Sequence, residues 1–400
     1  MTFTIPINTP ANARRSDYPS GEILGVQSGA NILYYTQDDF FMDGLPAALG
    51  TNLLNTSTVL SSKFLGLHIK AEDIVPSGLI VGTNRSTDQA PKWNDCNPSS
   101  GVFVDAGLGA WLTASKNAGA ETIYTIYLTP TWASARPSES DPLYGVLGSR
   151  AEPASMATLA AFVTWLMTNY GDLIDYLEIR NEPKYNTTAS SFYSGTPSTL
   201  AQEARIVNIT AKAIKPTVKI IGIAVADCTG TDTLPAGSSN SGVQITNLFL
   251  SASDGNGGLG KDWIDILSFH SYATSPNLSA FDGSKTLINN MKTANSVSAM
   301  PVWGTEFSYI SPDFINYTGA GASRMRALIR LVLMNLVIGF ERAIPYAYAQ
   351  LTLGWQKDPA ANAEWNKWAA ILNGATVTRI NRIGANGQLA CVINGQNYLI

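Results

Sequence analysis

Two glutamates carry most of the chemistry this chain can do. Glu182 lies at the end of the run Tyr176-Leu-Glu-Ile-Arg-Asn-Glu-Pro183, and Glu306 near the end of Val302-Trp-Gly-Thr-Glu-Phe307. Each run is apolar and β-prone and closes on a carboxylate. A buried strand that delivers an acid at its C-terminal tip is how a (β/α)8 barrel assembles an active site. Two carboxylates facing across a cleft suit glycosidic cleavage, in which one protonates the leaving oxygen and the other meets the anomeric carbon. The alternative for either glutamate is a strand-end side chain that caps the following helix or pairs with Arg180 or Arg342. Glu178 precedes Glu182 by an even step, so a period of two puts both on one strand face. That places Glu178 deeper, where a charge must be paired, and a structural role is expected of it.

The elements that must position these residues alternate from about Phe64 onward. Strand-like runs fall at Phe64–Ile69, Leu79–Thr83, Thr122–Leu128, Ile174–Arg180, Val218–Ala224, Ile264–Phe269, Pro301–Thr305 and Ala343–Tyr348. Helical patterns lie between most of them, at Gly107–Asn117, Ser155–Asn169, Thr199–Ala213, Val243–Ser251, Ser284–Ser296, Ala322–Ile338 and Asn362–Leu372. This rhythm predicts a parallel sheet with crossover helices, and eight strands is the barrel number. Lys70–Gly78 leaves no room for a helix between the first two strands. The reading is therefore a catalytic barrel over 63–373, an N-terminal β-rich segment over 1–62 and C-terminal strands over 374–400. Val377, Ile380, Leu389, Cys391 and Ile393 alternate with no barrel strand left to cover them. They are expected to pair with N-terminal strands, including Ile32–Tyr35, since an uncovered edge of that kind invites aggregation.

Composition narrows the function classes. The chain has 400 residues, 45% of them hydrophobic, and a net charge of −4, which gives no electrostatic case for nucleic acid or an anionic membrane. Charged residues make up only 14%, against about 25% in ordinary globular chains. Ser, Thr, Asn and Gly take their place, as is common in extracellular polysaccharide-handling proteins, so a secreted location is expected although Met1-Thr-Phe-Thr-Ile-Pro6 shows no signal peptide. Ala327–Phe340 is the most apolar stretch; Arg330 and Asn335 interrupt it, and it reads as a core helix. The three cysteines, Cys96, Cys228 and Cys391, show no CxxC spacing; one long-range disulfide or three buried thiols are both open.

At Asn181-Glu182-Pro183 the sequence comes to resemble the clan A glycoside hydrolases, retaining (β/α)8 enzymes with an Asn-Glu pair ending strand four and a Glu ending strand seven. His270-Ser-Tyr272, after strand six, is similar to the clan's His-x-Tyr. Thr129-Pro-Thr-Trp-Ala-Ser134 and Trp93-Asn-Asp-Cys-Asn-Pro98, the latter followed by Gly101-Val-Phe103, most resemble family 39. The likeness spans roughly residues 64–372. It departs at Leu79-Ile-Val-Gly-Thr-Asn84, which lacks the Arg-bearing strand-two pattern of many relatives. The resemblance implies Glu182 as acid/base, Glu306 as nucleophile and Asn181 bonded to the sugar 2-hydroxyl. The two glutamates must then differ in pKa.

The remaining candidates surround that pair. His270 is expected to donate near the sugar or a catalytic glutamate, with His68 a second candidate contact, and Tyr272 to hold the nucleophile's carboxylate. Two histidines without a clustered third ligand do not make a zinc site, so no metal is expected. Trp132 and Trp355 are expected to stack on sugar C–H faces, Trp303 to lie in the core, and Trp93 to line a rim or be buried. Asp254-Gly-Asn-Gly-Gly258 lacks the spacing and closing Glu of a calcium loop. With no dinucleotide or phosphate-loop fingerprint, no cofactor is expected. The leading reading is a retaining glycoside hydrolase acting on a poly- or oligosaccharide. A non-catalytic carbohydrate-binding or adhesion barrel, and a lyase or metal-dependent hydrolase, are the competitors.

Overall fold

The computed structural model describes residues 24–28, 31–35, 52–54, 57–62, 64–65, 68–70, 90–117, 120–141, 145–185, 192–226, 228, 242–273, 278–309, 321–346, 359–383 and 388–400. Its strands are β1 (Leu24–Ser28), β2 (Asn31–Tyr35), β3 (Thr58–Val59), β4 (His68–Lys70), β5 (Glu121–Ile126), β6 (Tyr176–Asn181), β7 (Lys219–Val225), β8 (Ile266–Ala273), β9 (Val302–Tyr309), β10 (Arg342–Pro345), β11 (Thr376–Ile383), β12 (Gln388–Ile393) and β13 (Gln396–Leu399). The helices are α1 (Trp93–Cys96), α2 (Leu108–Asn117), α3 (Met156–Tyr170), α4 (Pro197–Ile214), α5 (Gly242–Ser251), α6 (Ser284–Ala294), α7 (Gly321–Ile338) and α8 (Pro359–Leu372). Among the described residues no helix is long and apolar enough to cross a membrane.

Strands β5 to β8 are buried along almost their whole length because both faces are covered, the condition of a parallel sheet under helices. They join β4, β9 and β10 in one parallel sheet of order β10-β9-β8-β7-β6-β5-β4. The sheet curls into a barrel. Ile123 of β5, Ile221 of β7, Ile266 of β8, Trp303 of β9 and Ile344 of β10 form one inner core cluster, distinct from the core between sheet and helices. Tyr176 of β6 meets Trp303 of β9 edge-on, with ring centroids 4.9 Å apart. Arg342 of β10 pairs with Glu121 of β5, two strands far apart in the sheet order. On the far side the Ala343 amide donates to the Phe64 carbonyl at 3.2 Å, tying the segment before β4 to the last strand.

This is the (β/α)8 architecture expected from the sequence, with two differences in detail. β4 pairs directly with β5, and the run Leu79–Thr83 lies outside the described residues. β8 and β9 each continue four residues past their expected ends, because His270↔Glu306, Ser271↔Phe307, Tyr272↔Ser308 and Ala273↔Tyr309 go on pairing. Glu306 and the His270-Ser-Tyr272 motif therefore sit within strands rather than in the loops after them. The apolar run beginning at Ala327 forms the second half of α7, with Leu328, Leu331, Val332 and Leu336 buried as expected of a core helix.

The C-terminal strands form an antiparallel sheet of order β13-β12-β11-β3. It is built from both ends of the chain, but its N-terminal strand is Thr58–Val59, pairing with Thr376 and Val377. Asn52 strengthens the seam, its Oδ1 accepting from the Ile380 amide at 2.9 Å. The expected partner, Ile32–Tyr35, instead pairs with β1 in a separate hairpin. Alternation shows that a strand needs a partner without naming it, and the short span between β1 and β2 makes the local pairing entropically cheapest. The sheet buries Val377, Ile380, Leu389, Cys391 and Ile393, each contributing roughly 1.5–3 kcal/mol. All three cysteines are buried free thiols, which decides between the two alternatives for them.

Candidate active site

Both glutamates reach the mouth of the barrel through an irregularity in their strands. On β6, Tyr176 and Glu178 face inward, and Glu178 accepts from Thr125 Oγ1 at 3.0 Å and Ser268 Oγ at 3.1 Å. The expectation of a paired, structural Glu178 is met. Ile179 and Arg180 then both turn toward the helices, and the register against β7 shifts between Ile179 and Asn181. Arg180 and Glu182 have φ of 58° and 39°, in the left-handed region where non-glycine residues are uncommon. The Glu182 amide still donates to the Ala224 carbonyl of β7 at 2.7 Å. On β9 the register against β8 shifts between Phe269 and His270, so that Thr305 and Glu306 both face inward, Thr305 against Ser268 and Glu306 against Tyr272. Strict alternation would have turned one of them away.

The two carboxylates meet at His270. Its Nδ1 lies 2.8 Å from Glu182 Oε1 and 3.4 Å from Glu306 Oε2. Tyr272 Oη donates to Glu306 Oε2 at 2.6 Å. Glu182 keeps 18% of its side chain exposed, Glu306 6% and His270 none, so Glu182 is the more accessible of the two carboxylates. Enclosure, followed by the negative charge of Glu306 and Glu182, pushes the Tyr272 phenol well above its ordinary range. It stays a donor and fixes one oxygen of Glu306. Arg180 and Arg342 are committed to Glu203 and Glu121, which removes the pairing offered as an alternative to catalysis. Oxygens of both glutamates and the imidazole nitrogen lie within 4.8 Å of one another. Among the described residues these three are the group that could hold a metal ion, a grouping that spacing along the chain does not reveal.

The other candidates fall in different places. Asn181 is buried beside Glu182 at the end of β6. Trp132 is half-buried on the loop after β5, its indole donating to the Asn97 carbonyl at 2.9 Å. Trp303 is core, as expected, and Trp93 is fully buried, stacked on Phe162 with centroids 5.4 Å apart, so it lines no rim. His68 belongs to β4, but its side chain and the whole of Trp355 lie outside the described residues. Asp254 accepts the amides of Asn256 and Gly258 at 2.7 and 2.9 Å and the Trp263 indole at 3.0 Å, so its oxygens close its own loop.

Sequence reasoning missed the polar cluster behind β6. Arg180 Nε donates to Glu203 Oε2 of α4 at 2.7 Å, and Tyr193 Oη to Glu203 Oε1 at 3.0 Å. Glu203 is 2% exposed, in a helix whose other charges suggest a solvated face. The signal that could have found it is the apolar company of Leu200, Ala204 and Val207 on one helical face.

A curled parallel sheet with two carboxylates held at its mouth by an imidazole and a phenol defines a glycoside hydrolase of clan A. The family model for O-glycosyl hydrolase family 30 matches residues 105–336, more than half of the sequence, and the chain belongs to that family. No curated protein matches it. Among solved structures, a family 39 glycoside hydrolase from the gut symbiont Bacteroides cellulosilyticus WH2 is similar over 93% of this chain and 81% of its own, with 15% identity and a TM-score of 0.55. A monomeric β-xylosidase from Caulobacter crescentus CB15 is similar over 84% and 75%, with 14% identity and a TM-score of 0.53. The family 39 enzyme from Xanthomonas axonopodis pv. citri gives 84%, 71%, 14% and 0.52. At such identities these likenesses speak for the fold, which meets the expectation drawn from the clan motifs. The protein is a glycosidase, and its substrate is a carbohydrate.

Proposed function

We propose that this glycosidase works by double displacement, with Glu306 as nucleophile and Glu182 as acid/base. The observation that carries the reading is the closeness of the two carboxylates, whose oxygens approach within 4.8 Å. Retaining enzymes bring their two carboxyl groups close together, so that the second can act as nucleophile, and the shared contact of both carboxylates with His270 Nδ1 supports that reading. Glu306, held by Tyr272, attacks the anomeric carbon as the Glu182 proton passes to the leaving oxygen. Glu182 then takes a proton from the water that releases the sugar. His270, whose Nδ1 lies 2.8 Å from Glu182 Oε1, hydrogen-bonds that carboxyl and holds it in place through both steps. Asn181 beside Glu182 is assigned to the sugar 2-hydroxyl, and Trp132 and Trp355 to platforms for sugar faces. A poly- or oligosaccharide outside the cell is the proposed substrate.

A panel of aryl β-xylosides, β-glucosides and related glycosides, with polysaccharides, gives the sugar. Glu306→Ala should abolish turnover, and azide or formate should restore part of it by standing in for the lost carboxylate. Glu182→Ala should spare substrates with good leaving groups, which need no proton. A first product of inverted anomeric configuration, read by NMR, would sink the mechanism. A second reading draws on the grouping of Glu182, His270 and Glu306, which a divalent ion could bridge; loss of turnover after dialysis against a chelator would favour it.

A further inference from the structure

Arg180 lies between the barrel wall and its helices, two residues from Glu182, and touches neither glutamate. Its guanidinium binds three elements at once. Nε donates to Glu203 Oε2 of α4 at 2.7 Å, and Nη2 to Thr129 Oγ1 at 2.9 Å and to the Ala151 carbonyl at 3.2 Å. The Tyr193 ring packs over it at 4.9 Å, and the Tyr193 hydroxyl meets both Glu203 and the capping Thr199 of α4. Arg180, Glu203 and Thr129 are each 2% exposed or less. Surface packing gives no reason to bury an ion pair there, since apolar residues of like volume fill such a space equally well.

The backbone supplies the reason. Arg180 sits at φ 58°, where the β6 register slips, and this turn sends Asn181 and Glu182 to the mouth. A non-glycine residue stays in that region only when its surroundings over-determine it. We infer that Arg180 is a positioning residue: its clamp to Glu203 and Thr129 holds the bulge that aims Glu182 at the leaving-group oxygen, and ties that aim to the loop bearing Trp132. The inference rests on Glu182 being the acid/base.

The test is the leaving-group dependence of kcat, measured with 2,4-dinitrophenyl and unsubstituted phenyl glycosides of the sugar the panel selects. The matched variant Arg180→Met with Glu203→Leu removes the clamp without stranding a charge. It should fold, lose less than about 5-fold on the dinitrophenyl substrate and on the order of 100-fold on the phenyl one, consistent with a general acid's typical contribution. Arg180→Lys, which keeps the charge but not the fork, should show the same pattern on a smaller scale. A folded double variant with equal losses on both substrates overturns the inference. If the double variant does not fold, Arg180→Lys decides: a lowered Tm with equal losses on both substrates also overturns it. Glu182→Ala measured alongside separates the two ideas. If it slows both substrates equally, the acid/base assignment fails first; if it discriminates while the clamp variants do not, only the positioning role is wrong.

Discussion

At the floor of the barrel Glu121 lies against the guanidinium of Arg342, which sits 4.2 Å over the Trp303 ring. At the mouth Glu182 and Glu306 meet an imidazole and a phenol. Both ends therefore hold carboxylates at least partly withdrawn from solvent, yet with different partners. A fixed cation at 4 Å stabilises a carboxylate by roughly 4 kcal/mol at an effective dielectric constant of 20, and any reaction that consumes the negative charge must give that up. The Tyr272 phenol, a neutral donor, fixes an oxygen of Glu306 in space and leaves the charge available. The floor is an arrangement for stability and the mouth one for reaction.

The largest expected departure comes from removing charge at the mouth. Glu306→Gln should lower kcat on the order of 10⁴-fold or more while leaving Tm unchanged or raised, since functional sites commonly trade stability for activity. A marked fall in Tm would make Glu306 a structural group like Glu121 and erase the contrast. Next, Tyr272→Phe removes one hydrogen bond to an ionised acceptor, about 1.5–3 kcal/mol. It should reduce kcat about 10- to 100-fold; an unchanged kcat would show that Glu306 is oriented by other contacts. At the floor, Arg342→Met should cost about 1–3 kcal/mol of stability, at the lower end because both side chains are partly exposed, with kcat altered less than about 3-fold. A large loss of kcat there would couple the two ends.

The smallest effect concerns pH. Burial, first among its causes, holds the phenols of Tyr185, Tyr193 and Tyr272 well above their ordinary value, and burial with Asp105 raises Tyr170 to about 12. The unfolded phenols ionise near 10, so the folded state binds more protons above that pH. Their contribution is intact below pH 10 and is lost as pH rises past it. Tm should be insensitive to these groups from pH 7 to 9 and fall from pH 10 upward, and less steeply in Tyr170→Phe. An alkaline limb of equal slope in the variant would rule out this source.

Most of the barrel was legible because strand-like and helix-like segments alternate along the chain, the pattern of a parallel sheet with crossover helices. The glutamates, His270 and Tyr272 were legible as residue types at strand ends. Their convergence was not, since it depends on slips at Arg180 and Thr305 that period-two reasoning has no means to see. Arg180 and Glu203 were unreadable as partners for the same reason: strict alternation puts Arg180 inside the barrel. Thr58–Val59 is too short to announce itself as a strand, and Ile32–Tyr35 announced itself while leaving its partner open.

The three thiols open a further use of this molecule. Cys96 is the last residue of the short helix α1, Cys228 lies beyond the end of β7, and Cys391 is in the middle of β12; all are sealed from solvent. Burial with the nearby Asp95 and Asp105 raises Cys96 to about 12, and burial alone raises Cys391. A thiol so placed is inert to alkylation until its surroundings open. The chain thus carries three built-in clocks, one in the terminal sheet and two in the barrel. Their relative alkylation rates under native conditions would time whether the sheet stitched from both ends of the chain opens ahead of the barrel or with it as one cooperative unit.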